Sequence, residues 1–119
     1  MDKSDLKQRT KAFALRIINL AKTMIKQGGG AKIMADQILR SGTAIGAAYR
    51  SACIGKSDRD FINKLKIAEE EADETVYWLE LLMESTLVAP HLLQPLLDEA
   101  RQLTAILTAS IKTKRANMQ

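Results

Sequence analysis

The residues best suited to chemistry form an acidic run in the second half of the chain: Glu69, Glu70, Glu71, Asp73 and Glu74. Paired carboxylates can serve as general acid and base, or they can hold a hard cation. On a helix, side chains at these positions point in all directions around the axis, so the run cannot converge on one site. We therefore predict neither catalytic nor metal-binding residues there.

Histidine and cysteine offer no other reactive centre. A di-iron bundle needs Glu-x-x-His pairs on two helices, whereas the only histidine, His91, has no Glu three residues before it. The single Cys53 cannot form an internal disulfide and is expected to act as a small, partly buried hydrophobe. The serines and threonines lack histidine partners. We expect no enzyme, no cofactor and no small-molecule substrate.

Charge is distributed unevenly along the chain. The formal net charge is +4, but residues 1–66 hold 14 Lys and Arg against 5 Asp and Glu, and residues 67–119 hold 4 against 9. A basic surface can neutralise phosphates without reading sequence, although oppositely charged helices lying side by side would explain the same asymmetry. No helix-turn-helix, zinc or aromatic-platform motif accompanies the charge. The candidate nucleic-acid-binding residues are Lys7, Arg9, Lys11, Arg16, Lys22, Lys26, Lys56, Arg59, Lys64 and Lys66.

These residues need a scaffold, and apolar residues recurring in steps of three and four predict four helices. The predicted helices span residues of about 4–27, 31–53, 57–85 and 94–114. The connections are short, which predicts an all-α, antiparallel up-down-up-down four-helix bundle in a single domain, residues 1–119.

Local signals set the helix boundaries. Asp2 or Ser4 can cap the first helix, and Ser57 with Asp60 resembles a capping box for the third. The glycines at 28–30 end the first helix, because glycine accepts the left-handed conformation. Pro95 would clash with the carbonyl of His91, so the main fourth helix is predicted to start near Gln94 or Pro95.

The second helix contains a stretch of small residues, Ser41 to Ala52, with glycines at positions 42 and 46. Each interior glycine costs about 0.8–1 kcal/mol relative to alanine, so the stretch predicts close approach by another helix. That helix could come from the same chain or from a neighbouring subunit. Arg50 needs an acceptor if it is partly buried, and Glu69 or Glu71 are the candidates for such a polar pair.

The third helix carries a second apolar stripe, about 90° around from the core-facing seam. Ile67, Trp78 and Leu81 lie on this line, with two glutamates between them, and Tyr77 lies nearly opposite the seam. One core needs one stripe, so the second suggests a subunit interface, although Trp78 could instead cover the edge of the monomer core. The candidate interface residues are Ile67, Glu71, Glu74, Tyr77, Trp78 and Leu81.

The chain has no run of about 18 apolar residues, which argues against a membrane span. Its charged first residues lack the apolar core of a signal peptide. We therefore expect a cytoplasmic protein that does not bind membranes.

Three segments resemble a known family. Residues 41–52, read as Ser-Gly-Thr-x-Ile-Gly-Ala-x-Tyr-Arg-x-Ala, are similar to the second-helix signature of the bacterial four helix bundle proteins, also called 23S rRNA intervening-sequence proteins. Residues 60–82 resemble that family's third helix, and residues 109–113 its C-terminal end. The resemblance runs from about residue 6 to residue 114 and departs at residues 28–30, where members often carry a Phe-Pro or similar helix end.

The resemblance implies a four-helix bundle that assembles as a homo-oligomer, typically a pentamer, with no established enzymatic activity. Some members are encoded inside intervening sequences of bacterial 23S rRNA genes. Relatives serve as accessory proteins of diversity-generating retroelements and bind reverse transcriptase and nucleic acid. We thus expect a non-enzymatic homo-oligomer whose basic surface binds RNA or DNA. The alternative is a protein-interaction or scaffold module, such as a partner of a reverse transcriptase, without direct nucleic-acid binding.

Overall fold

A computed structural model describes residues 1–118 and contains four long helices; residue 119, the end of the predicted domain, lies outside the described residues. The helices are α1 (Lys3–Gln27), α2 (Gly29–Cys53), α3 (Asp58–Ser85) and α4 (Pro90–Asn117). Consecutive helices pack against each other, and α1 meets α4 less closely. The result is the predicted all-α four-helix bundle, 50 Å long and 20 Å across.

Side-chain caps start two of the helices. The Asp2 carboxylate accepts a hydrogen bond of 2.8 Å from the Asp5 amide, so Asp2 and not Ser4 caps α1. The Ser57 hydroxyl accepts one of 3.0 Å from the Asp60 amide at the start of α3. In return the Asp60 carboxylate accepts from the Lys56 amide, one residue before the cap. Both caps satisfy amides that have no partner within the helix.

The turn between α1 and α2 is shorter than the sequence suggested. Gly28 and Gly29 both have positive φ angles, +76° and +57°, so the chain reverses there and α2 begins at Gly29 rather than near residue 31. The backbone amide of Gly28 donates to the carbonyls of Met24 and Ile25, which closes the end of α1. Glycine tolerates these angles because it has no Cβ.

The fourth helix differs most from its predicted bounds. It begins at Pro90 rather than near residue 94, and Pro95 lies inside it. Proline at the first helical position is favoured, and Pro95 removes only the bond that the carbonyl of exposed His91 would have accepted. Burial of Leu93, Leu96 and Leu97 offsets that loss. The helix also continues to Asn117, three residues past the predicted end.

The core contains the predicted seams of all four helices. Phe13 and Ile17 of α1 and Ile38 and Ile45 of α2 are almost fully buried. So are most leucines of α3 and α4, among them Leu65, Leu79, Leu82, Leu93, Leu103 and Leu107. The side chains of Thr10, Ser41 and Thr75 are buried with them. Thr10 donates to the carbonyl of Leu6, and Thr75 lies 2.9 Å from Ser41 across the α2–α3 boundary. No helix within residues 1–118 is both long and apolar enough to cross a membrane.

Candidate nucleic-acid interface

The most basic element of the bundle is α1, which carries seven Lys and Arg side chains and a single Asp. Its apolar seam faces the core, so the charged side chains occupy the two flanks and the outer surface. The six candidate nucleic-acid-binding residues of α1 are therefore distributed around the helix rather than gathered on one line.

Arg9 is committed to an intramolecular contact. Its guanidinium donates through Nε and a terminal nitrogen to both carboxylate oxygens of Glu99 on α4, each at 2.7 Å. A further 2.7 Å bond reaches the side-chain oxygen of Gln102. The hydrogen bond to Glu99 raises the pKa of Arg9 above its usual value. Such a two-pronged pair fixes geometry as well as charge, so Arg9 has little capacity left for a phosphate.

Three other cations line one groove between α1 and α2. Lys7 and Lys11 lie on the α1 side and Arg50 lies on the α2 side of an open groove of about 220 Å³. Thr10, Gly46 and Ala47 are among the small residues that line it, and no Asp or Glu does so within residues 1–118. We call this feature the Gly46 groove. None of its three cations forms an ion pair in the described chain.

Among the predicted cations near the start of α3, one is paired with a carboxylate and, within the described residues, the others are free to contact a phosphate. Lys64 lies 3.2 Å from the Asp60 carboxylate. Hydrogen bonding from the Lys56 amide, and then from the Lys64 side chain, lowers the pKa of Asp60. The side chains of Lys56, Arg59 and Lys66 remain exposed.

The other predicted cations lie elsewhere. Arg16 lines an open groove of about 400 Å³ between α1 and α4, together with His91. His91 is exposed in the first turn of α4. The predicted start of the fourth helix near residue 94 had placed it in the preceding connection. Lys22 and Lys26 are exposed on α1. The ten candidates thus form several separate groups.

The proposed pairing of Arg50 with Glu69 or Glu71 is corrected by the structure. Arg50 is exposed on the α1 side of α2, whereas Glu71 accepts a 3.2 Å bond from Arg40. Glu69 faces α4 and accepts from the Thr108 hydroxyl. The predicted pair required a partly buried Arg50. Arg50 follows the buried Tyr49, but one residue is a rotation of about 100° on a helix, which turns Arg50 out of the core.

Arg40 was missed from sequence because it belongs to no motif. It reaches across the α2–α3 boundary and pairs with both Glu71 and Glu74. The next residue, Ser41, faces Thr75 across the same boundary. The sequence signal for this arrangement is that the seams of α2 and α3 each contain a serine or threonine, Ser41 and Thr75, which can face each other.

The lateral stripe of α3 has intrachain partners at most of its positions. Glu71 and Glu74 pair with Arg40, and Trp78 is half-buried against the core while its indole N–H donates to Glu74 at 3.0 Å. Leu81 is half-buried as well. Trp78 therefore covers the edge of the monomer core, the alternative that the sequence left open.

Two of the six candidate interface residues are largely exposed. Ile67 and Tyr77 have exposed fractions of 50% and 52%. The Tyr77 ring meets Trp78 edge-on, with ring centroids 5.2 Å apart. Ile67 is therefore the member of the stripe that the single chain leaves open, and Tyr77 adds an exposed aromatic ring in contact with Trp78.

The acidic run of α3 does not form one cluster. Glu71 and Glu74 turn towards α2, Glu69 turns towards α4, and Glu70 and Asp73 are exposed. In the part of the chain that the structure describes, no group of three or more His, Cys, Asp or Glu could hold a metal ion. The arrangement is one of structural ion pairs and solvated charge.

The fold and this distribution of charge define a helical-bundle protein with a basic surface. The chain matches the model of the 23S rRNA-intervening sequence protein family over residues 2–109 and belongs to that family. It is also similar to a crystal structure from Bacteroides thetaiotaomicron VPI-5482, described as a protein with unknown function from the S23 ribosomal protein family. The two are 38% identical with a TM-score of 0.86, covering 94% of this chain and 99% of that one. No curated protein matches the chain.

Proposed function

We propose that this protein is a non-enzymatic, homo-oligomeric bundle of the cytoplasm that binds RNA or DNA through its basic surface. The observation that carries the proposal is the charge of α1, which contains seven Lys and Arg residues but only one acidic residue. Of these seven, only Arg9 forms an ion pair within residues 1–118. Charge that is not neutralised within the chain favours a polyanionic partner.

The test measures binding of fluorescently labelled single-stranded RNA and DNA to the protein by fluorescence anisotropy at several salt concentrations. Binding should be tight at about 50 mM salt and should weaken linearly on a plot of log affinity against log salt, because phosphate contacts release counterions. Absence of salt-dependent binding to either polymer at about 50 mM would refute the nucleic-acid proposal.

We further propose that the protein self-associates through the lateral stripe of α3, as a pentamer in line with the family resemblance. Support comes from Ile67 and Tyr77, whose apolar surfaces are open in the single chain. Light scattering on the purified protein should give a mass several times that of one chain. A monomer at micromolar concentration would refute self-association.

A charged substitution tests which face is used. Ile67→Lys should reduce the oligomer mass, whereas Leu15→Lys should not, although Leu15 on α1 is similarly exposed at 55%. Equal masses for wild type and Ile67→Lys would place the interface on another face.

The second candidate function is a protein-interaction module, for instance a partner of a reverse transcriptase, that does not touch nucleic acid. The same exposed Ile67 and Tyr77 favour it, because aromatic and large apolar residues are typical of protein interfaces. The anisotropy experiment separates the two candidates, because a pure protein-interaction module would bind neither RNA nor DNA. Gene neighbourhood is a second test: a retroelement or another partner gene beside this one would favour the interaction module.

A further inference from the structure

The Gly46 groove brings cations from two helices to one place. Lys7 and Lys11 are one turn apart on α1, which corresponds to about 6 Å along the helix axis. Arg50 faces them from α2 across the groove. Because α1 and α2 are packed closely, these three charges share one narrow strip of surface.

The floor of the groove is formed by the close contact of α1 and α2. A Cβ placed at Gly46 would lie 3.1 Å from the Thr10 hydroxyl oxygen, so the two helices meet directly beneath the cations. Ala14 and Ala47 are the other small residues along the groove. Nothing large therefore projects between the three cations.

The hydroxyl groups of the groove are already occupied. Thr10 donates to the Leu6 carbonyl at 2.9 Å, and Thr43 donates to the Leu39 carbonyl at 2.7 Å. Recognition would thus come from the two ammonium groups and the guanidinium alone. Such a site contacts phosphate, and it carries no groups suited to reading bases.

This groove differs from the other basic groups because three cations from two helices line it and none of the three is paired with a carboxylate in the described part of the chain. Arg9 and Lys64, which sequence placed in the same candidate set, each have a carboxylate within 3.2 Å. The three groove cations have none within residues 1–118. Like charges held together without a counterion favour an anionic ligand, and arginine suits phosphate because it can bind two oxygens at once.

We propose that the Gly46 groove is where the sugar-phosphate backbone of the nucleic acid is held, with Lys7, Lys11 and Arg50 as its phosphate contacts. The inference rests on the proposed function and assigns its binding site. It gives Arg50 a role as a ligand-binding residue in place of the polar pair expected from sequence.

The experiment compares two triple variants of the full chain. The first is Lys7→Gln/Lys11→Gln/Arg50→Gln. The second, a control with the same loss of charge, is Lys32→Gln/Lys112→Gln/Arg115→Gln, whose positions are exposed, lie outside the groove and are not among the candidate nucleic-acid-binding residues. A charge-preserving variant, Lys7→Arg/Lys11→Arg/Arg50→Lys, shows whether charge or fold is responsible. Circular dichroism and thermal unfolding of all variants verify folding.

The groove variant should bind single-stranded RNA and DNA about tenfold or more weakly at about 100 mM salt. Its salt slope should fall by about 2–3, close to 0.7–0.9 for each lost phosphate contact. The control should lose less than about threefold, and the charge-preserving variant should bind like wild type.

Equal weakening by the groove and control variants would overturn the groove assignment while leaving nucleic-acid binding intact. A loss confined to RNA would also overturn it, because phosphate contacts alone do not distinguish the two polymers. Failure of the wild-type protein to bind either polymer would remove both the proposed function and this inference.

Discussion

The backbone of Gly42 on α2 lies directly against the side chain of Ile17 on α1. A Cβ at position 42 would be 2.9 Å from both γ-carbons of Ile17, closer than real side chains approach each other. The predicted close helix approach is therefore confirmed, and the neighbouring helix belongs to the same chain. The glycine is required by packing, not by an unusual backbone angle.

We expect Gly42→Ala to lower the free energy of unfolding by about 1–2 kcal/mol. Overpacking a full core costs about 1–3 kcal/mol, and the better helix propensity of alanine returns up to about 1 kcal/mol. The clash involves γ-carbons near the Ile17 backbone, so a simple rotamer change cannot relieve it. Urea denaturation measures the difference.

Gly30→Ala is the matched control. A Cβ there would meet only Leu87, at 3.6 Å, which is an ordinary contact. The helix propensity of alanine should then prevail, with a gain of up to about 1 kcal/mol. Opposite signs for the two substitutions are the expected result, and a stabilising Gly42→Ala would contradict the packing argument.

Sequence predicted the four helices because their periodic apolar seams, caps and glycines act locally. It could not place the start of α4 correctly, because Pro95 opposes a helix locally while burial of leucines on both sides of it favours one. Which of the two effects is larger depends on tertiary packing, and rules based on local sequence do not describe tertiary packing.

The bidentate pair between Arg9 and Glu99 links α1 to α4, the two neighbouring helices that approach least closely. Arg9→Lys keeps the charge but loses the two-pronged geometry. We expect a loss of about 1–2 kcal/mol in the free energy of unfolding, because the two side chains are only 26% and 17% exposed.

Arg101→Lys provides the comparison for that substitution. Its pair with Glu80 also links adjacent helices, but the side chains are 52% and 41% exposed. Exposed pairs contribute little, so the change should stay within about 0.5 kcal/mol. Equal effects of the two substitutions in chemical denaturation would show that geometry at Arg9 is unimportant.

The candidate site was less predictable than the fold. Sequence identified Lys7 and Lys11 as part of a basic set, but it treated Arg9 as equivalent and paired Arg50 with Glu69 or Glu71 of α3. Which cations meet carboxylates depends on the rotation of each helix about its axis. The pairings of Arg9 with Glu99 and of Arg40 with Glu71 and Glu74 join residues far apart in sequence, and no local pattern encodes them.

Stability should depend on Asp60 at acid pH. The Lys56 amide and the Lys64 side chain lower its folded-state pKa below the usual value of 3.8. The unfolded chain therefore takes up its proton first as pH falls, and the stabilisation is present above the unfolded-state pKa. It is lost progressively as pH falls through the folded-state pKa.

Urea denaturation of wild type and Asp60→Asn over a range of pH measures this dependence. The difference in unfolding free energy should be largest above about pH 5 and should disappear at the acid end. Asp73→Asn, an exposed carboxyl on the same helix, should show no comparable trend. A difference that stays constant with pH would contradict the role of Asp60.

The buried hydroxyl groups of Ser41 and Thr75 form a polar contact between α2 and α3, in addition to the ion pairs of Arg40. Thr75 Oγ1 lies 2.9 Å from Ser41 Oγ and 2.8 Å from the Glu71 carbonyl oxygen, and both side chains are fully buried. Thr75→Val keeps the shape of the side chain but leaves the Ser41 hydroxyl without this partner. We expect a loss of about 1–3 kcal/mol, the desolvation cost of a stranded polar group.

Removing both hydroxyls should be less harmful than removing one. In Ser41→Ala/Thr75→Val no polar group is stranded, so the double variant should be more stable than Thr75→Val alone. Ser41→Ala alone leaves Thr75 bonded to the Glu71 carbonyl and should have the smallest effect. A double variant whose loss equals the sum of the two single losses, measured by urea denaturation, would show that the two hydroxyls do not interact.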